Sequence, residues 1–194
     1  MSSWRRLLTI MTVVLAMCFF TGPVRADEAE PEKSPRHRAG AFITGGASYD
    51  GSSDYDFYSI NPFWGVFLSD PGPGRVWSTE FALEGFYNRY VDDFSSNYEL
   101  GFSPTFRFHY GFEESWSPYL EASVGILYTD LDTPEQGTEV NYDVHVGGGL
   151  NFRIRQDLYL TAGYRLRHIS NAGMSDRNKG IDYNQLIFGL SYYY

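Results

Sequence analysis

The chain has 194 residues, of which 15 are basic and 24 acidic, and its net charge of −9 argues against a nucleic-acid partner. A single cysteine excludes an internal disulfide, and no stretch after residue 26 is apolar for long enough to cross a membrane as a helix. Aromatic residues at 18% and 20 glycines, without any long apolar run, fit a barrel that crosses a membrane with strands.

Arg5 and Arg6 precede the apolar run from Leu7 to Phe20, which is followed by Thr21-Gly22-Pro23 and Val24-Arg25-Ala26. This is the pattern of a secretory signal peptide over residues 1–26, cleaved after Ala26. Cys18 lies inside it behind Met17, a poor fit to the small residue that lipoprotein processing requires, so the mature chain is expected to carry no thiol. Cleavage takes away Arg5, Arg6 and Arg25 and no acid, leaving 12 basic residues against 24 acidic ones. Residues 27–38 are charged, carry Pro31 and Pro35, and lack an apolar period. They read as a flexible periplasmic leader in which His37 is solvated.

From residue 39 to 194 the period becomes two. Segments bounded by turn residues run over about 39–49, 55–68, 75–91, 97–110, 116–129, 139–155, 157–170 and 182–194. The fourth sets Tyr98, Leu100, Phe102, Pro104, Phe106, Phe108 and Tyr110 against Glu99, Gly101, Ser103, Thr105, Arg107 and His109. The sixth sets Val140, Tyr142, Val144 and Val146 against Asn141, Asp143 and His145. Such segments exceed the roughly ten residues a tilted strand needs to cross a bilayer. Eight of them predict an all-β fold, an eight-stranded antiparallel transmembrane β-barrel, closed, with a polar interior. Phe106, Val144 and Leu160 should face lipid, with Arg107, Asp143 and Thr161 inward. Pro62 is a place where the second strand is expected to bend or break.

An even strand count puts both ends in the periplasm. Connections should then alternate short and long, as 155–157 and 130–138 do, although 69–74 is not especially short. Glu80, Glu84, Arg107, His109, Glu121, Asp143, His145, Arg153, Arg165 and Arg167 share the inward parity and read as the ionic filling of the lumen. The last segment places Leu186, Phe188, Leu190, Tyr192 and Tyr194 on one face, the C-terminal signal through which outer-membrane barrels engage the barrel assembly machinery.

Near the end of the chain this alternation turns polar. The lipid-facing parity of Leu158, Leu160, Ala162, Tyr164 and Leu166 continues onto His168 and Ser170, and the parity of Leu186 to Tyr194, followed backward, passes Asn184 and reaches Asp182. Strands do turn polar where they leave a membrane, at little cost. A base, a nucleophile and a carboxylate on one outer face, joined by the loop 171–181, are also the parts of an acyl-transfer triad. No Cys/His cluster, Gly-rich phosphate loop or heptad appears, so a metal or nucleotide cofactor has no support.

The stretch His168-Ile169-Ser170-Asn171-Ala172-Gly173, followed by Asn178-Lys179-Gly180-Ile181-Asp182, resembles the C-terminal signature of the outer-membrane lipid A 3-O-deacylase family. The likeness is sharp over residues 164–194 and only architectural before them. It implies an eight-stranded barrel of about this size in the outer membrane, with its site on the outer surface. By position, Ser170 would be the nucleophile, His168 the general base and Asp182 the orienting acid. Gly173 would offer a backbone N–H and Asn178 a side-chain amide to the oxyanion. The resemblance further implies lipid A, within lipopolysaccharide, as substrate, outer-membrane lipids as surroundings, a 3-hydroxy fatty acid as product, and no cofactor. Asp182 departs from the family's usual Glu and is one methylene shorter, so Asp176 is a candidate assistant. The competing readings are a non-enzymatic structural or adhesive barrel, and a barrel acyltransferase with an interior lipid cavity.

Overall fold

Alternating burial along the strands separates an inner from an outer face, clearest in β2 and β3, and closing the sheet on itself hides the inner faces while pairing every edge. In the computed structural model the described residues are 37–50, 55–69, 71, 76–91, 97–112 and 114–194. The expected signal peptide and most of the leader lie outside them. Eight strands follow in chain order: β1 (His37–Asp50), β2 (Asp56–Phe67), β3 (Trp77–Val91), β4 (Tyr98–Tyr110), β5 (Trp116–Thr129), β6 (Val140–Arg153), β7 (Leu158–Ser170) and β8 (Ile181–Tyr193). All neighbours pair antiparallel, and β8 closes on β1.

Two expectations change. Residues 37 and 38, assigned to the leader, begin β1: Arg38 is buried and its Nη1 donates to Glu80 Oε2 at 3.1 Å, while His37 stacks between Trp64 and Tyr194 at 5.6 Å from each ring. The charge that suggested a solvated leader is a lumenal cation. Pro62 does not break β2 either. It faces outward, its register to β1 persists, and only the pairing with β3 lapses over Asn61 and Pro62, as expected of a residue without an N–H. Pro104 repeats this on β4, where the pairing with β5 lapses over Ser103 and Pro104.

The lumen is filled in layers. At its centre Arg107 bonds Glu84 at 2.6 Å and Glu121 at 3.0 Å, and Arg165 bonds the same two carboxylates at 2.8 Å each. Arg167 joins Glu99 at 2.9 Å and also bonds Asp143. Charges in a space this dry persist only when paired and hydrogen-bonded, and these are. Apolar clusters lie beyond the charges, with Phe57, Phe86, Leu127, Ile169 and Ile181 toward the rim of the 130–139 and 171–180 loops. Phe67, Phe112, Tyr159 and Tyr193 lie toward the end where β1 begins and β8 finishes.

The outer face is apolar. Phe106 and Val144 are exposed and Leu160 half-buried on it, while Arg107, Asp143 and Thr161 are buried inside, as the parity predicts. Trp64, Trp77, Tyr110, Trp116 and Tyr192 gird one end of this band, and Tyr58, Tyr87, Tyr128 and Tyr142 the other. An apolar belt between aromatic girdles is the surface a bilayer requires. Among the described residues no helix is long and apolar enough to cross a membrane.

Candidate active site

On the outer face of β7 and β8, the register sets His168 directly opposite Asp182, while Ser170 lies opposite Tyr142 of β6 at the last pair of that ladder. His168 and Ser170 are two residues apart and so share a face, with Cα atoms about 7 Å apart. The structure joins the first two groups: His168 Nδ1 and Asp182 Oδ1 lie 2.7 Å apart, with the side chains 43% and 30% exposed. A carboxylate only accepts, so in the neutral imidazole this contact selects the tautomer with its hydrogen on Nδ1 and its lone pair on Nε2. Among the described residues Ser170 Oγ has no hydrogen-bond partner. Asp182 reaches the imidazole despite its shorter side chain because the two residues are a direct cross-strand pair. Asp176 lies exposed in the loop, without a bond to His168.

The imidazole is held from a second side. Gly180 adopts φ +76°, and a Cβ there would stand 2.5 Å from His168 Cε1 and 3.0 Å from Nε2. Only glycine takes both the left-handed backbone and the ring edge. Sequence reasoning assigned Gly180 no role, although its place just before β8 and two residues from the acid was a signal.

Asn171, to which the sequence pattern assigns no role, organises the loop. It is fully buried. Its Nδ2 donates to Arg177 O at 2.8 Å, its Oδ1 accepts from Gly173 N at 3.0 Å, and its own N donates to Asn178 Oδ1 at 2.9 Å. Ala172 and Gly173 follow at φ 51° and 83°, two left-handed residues in succession, which turn the chain sharply beside Ser170. The two expected oxyanion donors therefore differ. The Gly173 N–H is engaged by Asn171. Asn178 has its oxygen fixed on a backbone N–H while its Nδ2 carries no hydrogen bond among the described residues.

Below the polar trio the outer face becomes hydrocarbon again through Leu166, Leu186 and Leu190, interrupted by Tyr164, whose hydroxyl donates to Asn184 Oδ1. Among the described residues no cluster of three or more His, Cys, Asp or Glu is arranged to hold a metal ion. What the arrangement offers chemically is an oriented base, a hydroxyl on the same face and an amide donor, at the edge of an apolar surface.

A sequence model of the family described as Lipid A 3-O-deacylase (PagL) matches residues 58–191, more than two thirds of the chain. The Lipid A deacylase PagL of Pseudomonas aeruginosa is 29% identical over 102 residues, which are 51% of this chain and 56% of that protein. The match thus spans about half the length of that curated relative. Among solved structures, the crystal structure of the outer membrane enzyme PagL superposes with a TM-score of 0.62 at 20% identity, over 76% of this chain and 97% of the other. Neisserial surface protein A gives a TM-score of 0.61 at 14% identity, over 81% and 97%. The two scores are equal for practical purposes, so the likeness of fold alone carries no chemistry.

Proposed function

The chain belongs to the lipid A 3-O-deacylase family, and on that premise we propose that it is a serine esterase of the outer membrane that hydrolyses the 3-position acyl ester of lipid A with Ser170, His168 and Asp182. The observation that carries the reading is the His168–Asp182 bond of 2.7 Å, made on the outer face rather than in the lumen. Among the described residues the other close acid–base pairs of the barrel strands are buried in the lumen, whereas this one is partly exposed on the outer face.

Ser170 Oγ attacks the acyl carbonyl and its proton passes to His168 Nε2, with Asp182 stabilising the imidazolium. The new C–O bond turns the carbonyl oxygen into an oxyanion, which accepts from Asn178 Nδ2. Gly173 N–H joins as second donor by exchanging its bond to Asn171. Collapse breaks the ester C–O bond, and the imidazolium gives its proton to the sugar oxygen, which leaves as a hydroxyl. A water, deprotonated by the same base, attacks the acyl-enzyme and releases a 3-hydroxy fatty acid, with Ser170 restored. The cycle balances with substrate and water alone.

Placement on the outer face suits a substrate whose acyl chains stay in the membrane while its head lies at the rim. An acyltransferase reading needs an interior cavity for the chain, and the lumen of this barrel is occupied by the Arg107, Arg165, Glu84 and Glu121 network. A non-enzymatic reading makes Ser170 dispensable. The test is mass analysis of lipid A from cells expressing the chain: loss of one hydroxyacyl group supports the esterase, and unchanged lipid A refutes it.

A further inference from the structure

Asn178 is held by a segment outside the signature that suggested the site. Loop 130–139, between β5 and β6, lies on the 171–180 loop as a short antiparallel ladder. Gly137 N donates to Arg177 O at 3.0 Å and Lys179 N donates to Glu135 O at 3.0 Å, so that Gln136 and Asn178 face each other across an isolated bridge. Bonds that flank a pair on both sides mark it as the non-hydrogen-bonded type, with Cα atoms about 4.5 Å apart and side chains leaving the same face in close contact.

The segment is built for that approach. Gln136 N donates to Thr133 Oγ1 at 3.1 Å, which sets the turn. A Cβ on Gly137 would stand 2.2 Å from Ser175 Oγ and 2.9 Å from Ser175 Cβ, so the two loops meet only because Gly137 has no side chain. Arg177 reaches back to Asp132 Oδ1 and to Thr133 O, both at 3.3 Å. Gln136 is 3% exposed, and its Nε2 has no hydrogen-bond partner among the described residues. A buried amide N–H left unpaired lowers stability, so packing alone does not account for a glutamine at this place in a rim loop.

We propose that Gln136 is a positioning residue for the oxyanion donor. Its amide, packed against the Asn178 side chain, limits rotation of that side chain. With Asn178 Oδ1 fixed on Asn171 N, Nδ2 is then turned to where negative charge develops. The proposal rests on the esterase reading and extends it to residues 132–137.

The test is a double-substitution cycle on the full chain, purified from outer membranes in detergent and assayed on lipid A. Gln136→Ala should lower kcat about tenfold and leave KM within about twofold, because a donor displaced by a fraction of an ångström serves the transition state more than the ground state. In an Asn178→Ala background, itself slowed on the order of a hundredfold, the same change should alter kcat by less than about twofold. Gly137→Ala, which forces the loops apart, should repeat this signature while the barrel stays resistant to unfolding in gel electrophoresis without heating. Parental kcat in both Gln136→Ala and Gly137→Ala, or an equal fall in both backgrounds, overturns the proposal while leaving the esterase reading intact. An unmodified chain that releases no hydroxyacyl group overturns the esterase reading and this proposal with it.

Discussion

Gly180→Ala tests the geometry of the proposed base, His168, without touching a reacting group. The added methyl would stand 2.5 Å from His168 Cε1 and 3.0 Å from Nε2, against the 3.4 Å or more of ordinary contact. The ring must then retreat by about 1 Å, and a catalytic group misplaced by that much loses on the order of a hundredfold in rate. The same displacement disturbs the 2.7 Å bond that orients the imidazole on Asp182. Alanine at φ +76° adds about 1–2 kcal/mol of backbone strain, too little to unfold a barrel closed by eight paired strands. The assay is the initial rate of hydroxyacyl release from lipid A in mixed micelles, with folding checked by heat-dependent gel mobility. A kcat within about twofold of the parent in a folded protein would refute the placement of the ring against Gly180 as a condition for catalysis.

Asp182→Glu should lower activity, because the cross-strand pair already brings the shorter acid to 2.7 Å and an extra methylene overshoots; a rate above the parent, measured in the same assay, would contradict this. Asp182→Asn should cost less than His168→Ala, since an imperfectly oriented imidazole keeps part of its function, and kcat for the two compares them directly. Arg165→Met leaves Glu84 and Glu121 buried and half compensated, at a cost of about 3–5 kcal/mol, to be read as a lowered midpoint of thermal or denaturant unfolding.

The wall of the barrel was legible in the sequence because the period of two is local. Phe106 and Arg107, adjacent in the chain, fall on opposite faces of β4 with no tertiary information needed. The same parity carried His168, Ser170 and Asp182 to one outer face. Local reading fails where the decisive partner is remote. Arg38 resembled leader until Glu80, 42 residues away, took its charge inside the lumen. Pro62 resembled a break, but an outward proline on a closed sheet interrupts the pairing on one side only. The proposed support of the site was least visible. Asn171 makes three loop bonds, Gly180 has a positive φ, and Gln136 lies on a ladder to a loop about forty residues later. None of these leaves a periodic trace, because each depends on how two loops meet at the rim.

The measurement that bears most directly on the proposed chemistry is the mass of lipid A from cells expressing the Ser170→Ala chain beside cells expressing the parent. The parent should convert lipid A to a species lighter by one hydroxyacyl group. Ser170→Ala should leave it intact while reaching the outer membrane folded and in equal amount, since Ser170 lies at the outer end of β7 and packs no core. Release of the chain by Ser170→Ala at the parental rate would mean that Ser170 is not the nucleophile, and the mechanism would fall with it.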